Sequence, residues 1–249
     1  MDLGRWLLHL WQIDYDEHPH APIFHVLALL WYGVGAKGYP LFIRDNQKYS
    51  TVKEMVEKLD PLTAPENRVV PDETTEKALY DEVMELRNEF HTKIGSGSRT
   101  WAYYNLLPHK KLTWDGFTTG VPWWETLFLI FGYGIIKYLL SKAIGLGPKE
   151  AQQGLDKVRA DFDRCEKILS DGRQYLVGDR LTLADLTFAT AGAPMVLANG
   201  YGGYLPTIDK VTPEMYSIVT ELRARPAGAF IQRIYDEHRL KVLARSGGV

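Results

Sequence analysis

The stretch Tyr175-Leu-Val-Gly-Asp-Arg-Leu-Thr-Leu-Ala-Asp-Leu-Thr-Phe-Ala189 carries the clearest structural signal in this chain of 249 residues. Thr182 stands where a helix can begin, and its hydroxyl can accept a hydrogen bond from the backbone N–H of Asp185. The Asp185 carboxylate can return a bond to the backbone of Thr182, which makes a capping box with Leu181 as its hydrophobic staple. The pattern predicts a buried helix over 182–198 and makes Asp185 a folding residue rather than a catalytic one.

Apolar residues recur at helical spacing through nearly all of the sequence after residue 75. Further helices are predicted there at 75–106 (with a bend near 95–97), 122–145, 148–170, 213–224 and 226–237. The pattern before residue 60 is mixed, with predicted helices at 5–13, 23–32 and 51–59 and short strands at 41–43 and 48–50. A small α/β half therefore precedes an all-helical half, and residues 60–74, with three prolines, are interpreted as the linker.

The composition excludes several classes of protein. Hydrophobic residues make up 45% and charged residues 24%, which is ordinary for a globular chain. The net charge of −2 gives no basic stripe for a nucleic acid, so no nucleic-acid partner is expected. Cys165 has no second cysteine to pair with, which agrees with a reducing compartment. The first residues lack the pattern of a secretory leader, and a cytoplasmic location is expected.

One strongly apolar stretch runs from Thr126 to Leu140 and is interrupted by Lys137. We interpret it as a buried helix of the core that is too short to cross a bilayer. Contact with a membrane is the alternative interpretation, but no membrane partner is expected.

The segment from Leu176 to Asp185 resembles the helix-start motif L-x-G-[DE]-x-[FL]-[ST]-x-A-D in the C-terminal domain of cytosolic glutathione S-transferases. The segment from Arg225 to Tyr235 resembles the final helix of that family. The resemblance implies a thioredoxin-like, glutathione-binding domain over 1–62, followed by an all-helical domain over 75–249. Helix-like sequence begins at about residue 3, so either the first strand of the thioredoxin-like domain is absent or a different element takes its place.

The resemblance also implies a glutathione site. Tyr39-Pro40 matches the family's cis-proline, where the backbone before Pro pairs with the cysteinyl part of glutathione. Ser50 and Thr51 lie at the start of a predicted helix, where the family holds the γ-glutamyl carboxylate, although capping of the helix is an equal alternative. The family has an acidic residue and a serine at the start of this helix. They align with Thr51 and Val52 here, so this chain lacks the acidic residue. No Tyr, Ser or Cys precedes the first helix, and the catalytic residue is not identified.

Other residues allow two interpretations. The family's substrate pocket is lined by the first long helix and the next one, so Trp101, Tyr104, Trp124 and Tyr133 are expected to bind an apolar substrate, with core packing as the alternative.

Residues 14–25 hold several His and acidic residues. They lack the spacings of common zinc motifs, so we interpret them as a polar surface and predict no metal. Cys165 is interpreted as an ordinary helix residue.

The resemblance implies a glutathione transferase, in which the thiolate of the co-substrate glutathione attacks an apolar electrophile. The alternative is a catalytically silent binding or assembly module with the same fold. A thiol–disulfide reductase is a weaker third possibility, because the chain has no N-terminal cysteine. A homodimer is expected, and exchange of a strand between chains would fill the sheet edge left by the missing first strand.

Overall fold

The computed structural model describes residues 2–240, and helices form most of this part of the chain. The first half contains α1 (Asp2–Leu10), α2 (Phe24–Trp31), β1 (Phe42–Arg44), β2 (Gln47–Tyr49) and α3 (Val52–Leu59). The second half contains α4 (Lys77–Thr92), α5 (Ile94–Leu106), α6 (Lys110–Thr118), α7 (Trp123–Ile144), α8 (Pro148–Leu169), α9 (Leu183–Val196), α10 (Pro213–Ala224), α11 (Pro226–Ile234) and a π-helical segment, Tyr235–Arg239. The end of the predicted helical domain, 241–249, lies outside the described residues.

The sheet is an antiparallel hairpin in which Phe42 of β1 lies opposite Tyr49 of β2. Asp45 and Asn46 form its turn, with φ values of 50° and 63°. Two left-handed residues in a two-residue loop match the right-handed twist of the strands, which is why Asp and Asn are favoured there. Within residues 2–240 the sheet has two strands, so the prediction of a reduced thioredoxin-like domain ahead of a helical domain is confirmed.

The predicted capping box at the start of α9 is present. One oxygen of the buried Asp185 carboxylate accepts hydrogen bonds from both the backbone N–H and the hydroxyl of Thr182, each at 2.7 Å. The other oxygen accepts the backbone N–H of Leu176, also at 2.7 Å. Leu183 donates its N–H to the carbonyl of Val69 at 2.8 Å. The start of α9 is thereby bonded both to the preceding loop and to the linker.

Two glycines allow α5 and α8 to cross closely. A Cβ atom on Gly97 would lie 2.4 Å from the carbonyl oxygen of Gly154, and one on Gly154 would lie 2.8 Å from the carbonyl oxygen of Gly97. Real Cβ atoms do not approach a backbone oxygen this closely, so both positions require glycine. The predicted bend near 95–97 is seen nearby as a break between α4 and α5 at Lys93.

The main core contains side chains from both halves of the chain. Trp6 of α1 is fully buried, and its ring lies 4.8 Å from the ring of Tyr235. Asp2 accepts hydrogen bonds from the Tyr235 hydroxyl and from Arg239, which is also buried. The Arg239 guanidinium lies 3.0 Å from Nδ1 of His9, whose pKa is lowered by burial and by Arg239. The first helix is thus part of the same core as the last helices.

The interpretation of 126–140 as a buried core helix that is too short to cross a bilayer is wrong about both burial and length. The stretch is helical, as part of the 22-residue helix α7, but only 17% of its most apolar window is buried. Leu129, Ile136 and Leu140 pack in a second, smaller core cluster, while the opposite side is exposed. Among residues 2–240, α7 is the one helix long and apolar enough to cross a membrane by length and composition. The error arose because composition reports how apolar a helix is and not what covers it.

Candidate functional site

The loop that ends in Tyr39-Pro40 lies against the first turns of α1. The Tyr39–Pro40 peptide bond is cis. A Cβ atom on Gly4 would lie 3.1 Å from Cγ of Pro40 and 4.0 Å from Cγ2 of Val52. Glycine at position 4 therefore lets α1 approach both this loop and the start of α3. Pro40, one of the two residues predicted to hold the cysteinyl part of glutathione, therefore lies against α1.

Aromatic and basic side chains surround Tyr39 on its other side. The rings of His25 and Tyr39 are 5.8 Å apart in an edge-to-face arrangement. Burial raises the pKa of Tyr103, with Tyr39 adding to the effect and Arg99 opposing it. Burial lowers the pKa of His25, so its ring is neutral at pH 7. Arg99 and Tyr103 are one turn apart on α5, so the exposed guanidinium of Arg99 acts electrostatically on the Tyr103 hydroxyl, which in turn interacts with Tyr39.

Tyr201 extends this cluster toward the N-terminus of α1. Burial raises its pKa, and Asp2 and Tyr103 add to the effect, so its hydroxyl is protonated at neutral pH. Its loop is held to α1 because the N–H of Gly202 donates to Asp2 at 3.0 Å. Sequence reasoning missed both His25 and Tyr201 as site residues. The glycines that flank Tyr201 were the available signal, because they mark a loop free to approach another element.

Ser50 and Thr51 are both engaged by Glu54. The backbone N–H and the hydroxyl of Ser50 donate to Oε2 of Glu54, at 2.6 and 2.9 Å. Thr51 is the N-cap of α3, and its hydroxyl accepts the backbone N–H of Glu54 at 3.1 Å. The bonds from Ser50 lower the pKa of Glu54. The Glu54 carboxylate therefore occupies the donors of Ser50, and the Thr51 hydroxyl caps the helix, at the place predicted to hold the γ-glutamyl carboxylate.

The four residues predicted to bind substrate occupy two separate places. Trp101 and Tyr104 line a cavity of about 430 Å³ between α5, α8 and α10, and Trp101 is buried. Trp124 is on α7, where its ring lies 5.3 Å from that of Phe24. Tyr133 is also on α7 and donates its hydroxyl to the carbonyl of Leu107 at 2.9 Å. The structure does not bring these four side chains into one wall, and their binding role stays a prediction.

The polar segment 14–25 is attached to α7 through a buried carboxylate. Glu125 is fully buried, and its two oxygens lie 2.7 Å from Nδ1 of His20 and 2.6 Å from the backbone nitrogen of Ala21. Across residues 2–240 no three His, Cys, Asp or Glu side chains come close enough together to hold a metal ion. Cys165 is buried in α8, and burial raises the pKa of its thiol.

The comparison with known families places one part of the chain. Residues 148–225, from the start of α8 to the end of α10, match the family described as glutathione S-transferase, C-terminal domain. This range contains the capping box of α9 on which the resemblance was based. No curated protein matches the chain. Residues 148–225 of the chain are thus similar to the C-terminal domain of glutathione S-transferases.

Proposed function

We propose that this chain binds glutathione beside Tyr39-Pro40 and conjugates its thiol to an apolar electrophile. The observation that carries the proposal is the position of this loop, between Gly4 of α1 and the Tyr103 side of α5. The C-terminal domain match supports it, because glutathione transfer is the activity typical of the family. The backbone of Tyr39 would pair with the cysteinyl part of glutathione, and the start of α3 would face its γ-glutamyl carboxylate.

The chemistry requires a thiolate, because the thiolate is the nucleophile. The Arg99 guanidinium supplies positive potential near the loop, which favours ionisation of the glutathione thiol, and the proton passes to solvent. Tyr103 keeps its proton at neutral pH and can donate a hydrogen bond to the sulfur or to a departing group. With a chloroarene, the sulfur forms a bond to the ring carbon, and chloride leaves with the electron pair of the broken bond.

A second function is favoured by one observation, the engagement of Ser50 and Thr51 by Glu54. A carboxylate already bound at this end of α3 competes with any incoming carboxylate for the same donors. The chain would then be a silent module with the glutathione-transferase fold, used for binding or assembly. A homodimer in the cytoplasm is part of both proposals, and light scattering during gel filtration would measure the dimer mass.

Calorimetric titration with glutathione, paired with a conjugation assay on a chloroarene, separates the two proposals. Binding with turnover supports the transferase, and Arg99→Gln should then lower kcat by about tenfold or more if the guanidinium stabilises the thiolate. Arg164→Gln, a change at an exposed arginine of α8 beside Glu89, is the matched control. Binding without turnover favours the silent module, and absence of binding at millimolar glutathione refutes the transferase.

Glu54→Ala tests the competition directly. If glutathione binds at the start of α3, removing the resident carboxylate frees the N–H and hydroxyl of Ser50 and should tighten glutathione binding. Loss of the bonds to Ser50 should also lower the stability of the fold slightly. Lys53→Ala, in the neighbouring exposed position, is the control. Unchanged glutathione affinity in Glu54→Ala would mean that glutathione is held elsewhere.

A further inference from the structure

Helix α7 is apolar on all sides, but residues 2–240 cover only one of them. Leu129, Ile136 and Leu140 are buried against the second core cluster. The exposed side carries Leu127, Phe131, Ile135 and Tyr138 at intervals of three and four residues, so they form one stripe. A helix that is apolar all round is normally buried or within a membrane. In the part of the chain that the structure describes, nothing covers this stripe.

The uncovered surface is large. Phe131 is 84% exposed, and nine large apolar side chains of α7 are each at least 43% exposed. At roughly 150–250 Å² for a large side chain, they expose on the order of 1,000 Å², against roughly 300–600 Å² for the largest apolar patch of a typical monomer. A patch of this size indicates a binding surface.

Helix α2 extends the same surface. The ring of Phe24 lies 5.3 Å from that of Trp124 and 5.2 Å from that of Phe128, which joins the two helices side by side. Leu27 is 59% and Trp31 is 89% exposed. We call the exposed side chains Leu27, Trp31, Leu127, Phe131, Ile135 and Tyr138 the α2–α7 face.

Charge decides what kind of partner this face fits. Lys142 continues the exposed stripe one turn beyond Tyr138, and its Nζ lies 5.8 Å from the centre of the Tyr138 ring. Residues 109–144 contain four lysines, all exposed, and two acidic residues, although the chain as a whole has a net charge of −2. One of the two acidic residues, Glu125, is fully buried. The surroundings of the apolar stripe are therefore basic.

We propose that the α2–α7 face binds the surface of a lipid bilayer that contains anionic lipids. Helix α7 lies in the interface with its exposed stripe among the acyl chains, while its lysines reach the headgroups. Trp123 and Trp124 at one end of α7, and Tyr138 near the other, are residue types favoured at the membrane–water boundary. Helix α7 does not cross the bilayer in this arrangement, because its other side, with Glu125, is bonded to its own chain.

A second copy of the chain fits this face less well. A two-fold interface buries the same patch of both copies, so the exposed lysines beside it would gain no opposite charge from the partner copy, whose patch is also basic. Like charges at an interface weaken association, whereas an anionic lipid surface attracts each lysine. The proposal concerns a face that does not include Tyr39 or Pro40, so it stands independently of glutathione binding.

Flotation of the full chain with phosphatidylcholine vesicles, with and without phosphatidylglycerol, tests the proposal. We expect co-flotation with the anionic vesicles, and a decrease of about tenfold or more in the double variant Phe131→Ser, Ile135→Ser. Tyr216→Ser on α10, a change at an exposed aromatic residue outside this face, is the matched control and should bind like the unmodified chain. Lys142→Gln should weaken binding by about fivefold, and added salt should reduce that difference.

Circular dichroism and gel filtration with light scattering accompany each variant. Phe131→Ser alone serves if the double variant does not fold, because its side chain makes little contact with the chain. Failure of the unmodified chain to float with anionic vesicles would overturn the proposal. It would also be overturned if the unmodified chain were a dimer that becomes a monomer in Phe131→Ser, since a second copy would then cover the face. Glutathione titration of the same variants should be unchanged.

Discussion

Replacing Asp185 with alanine tests whether one buried carboxylate fixes the start of α9. The change leaves the buried backbone N–H groups of Leu176 and Thr182 without their acceptor. Each unsatisfied buried donor costs about 1–3 kcal/mol, which gives roughly 2–6 kcal/mol in total. Burial raises the pKa of Asp185 to about 6, so the change also relieves a cost of burying charge. We therefore expect the free energy of unfolding to fall by about 1–3 kcal/mol at pH 7, less than the sum for the two donors.

Urea unfolding followed by far-UV circular dichroism measures this loss as a lower midpoint at constant slope. Asp179→Ala, at an exposed acidic residue in the loop just before α9, is the matched control and should change stability by less than about 0.5 kcal/mol. A loss below about 1 kcal/mol in Asp185→Ala would refute the reasoning, because the two orphaned donors would then have found other partners.

Three further predictions concern the helical domain. Gly97→Ala should lower the free energy of unfolding by about 1–3 kcal/mol, because the new Cβ would clash with the backbone of Gly154. Gly134→Ala, at a position with open space around it, should raise the free energy of unfolding by about 0.5–1 kcal/mol. Thermal unfolding of both variants measures the contrast. Cys165 should react with a thiol reagent only when the chain unfolds, since it is buried and burial raises its pKa; labelling with and without urea checks this. Burial raises the pKa of Asp161 from 3.8 to about 6, so the folded state holds this proton to a higher pH than the unfolded chain does. The resulting stabilisation is present below pH 4 and is lost as the pH rises through about 6. Between pH 4 and about 6, the Asp161→Asn variant should therefore lose about 2 kcal/mol less stability than the unmodified chain. Urea unfolding at several pH values measures this difference.

Local patterns allowed much of the fold to be predicted. The capping box at Thr182 and Asp185 and the turn at Asp45 and Asn46 involve residues within three positions of each other, so their geometry follows from the backbone alone. The family resemblance rested on the same capping box. Helix α6 was missed, because its nine residues include only three large apolar side chains and show no clear helical period.

The candidate site was predictable only in part. Tyr39-Pro40 could be found by resemblance, and the contact of Ser50 with Glu54 could have been expected from their spacing of four residues. The approach of Tyr201 to Tyr103 joins segments almost a hundred residues apart, and no local signal reports such a contact. The exposure of α7 could not be predicted from the sequence either, since an apolar helix has the same composition whether other parts of its chain cover it or not.

The bonds from Asp2 to Tyr235 and Arg239 have a consequence for the synthesis of this protein. The Tyr235 hydroxyl that Asp2 requires is encoded 233 residues after it. A growing chain therefore holds α1, with its apolar Trp6 surface, unfinished until the last helices leave the ribosome. Chains that stop before Tyr235 would leave Asp2 without the hydroxyl and guanidinium that bind it, and Trp6 without the ring of Tyr235. We expect such products to be recognised by chaperones and proteases as unfinished.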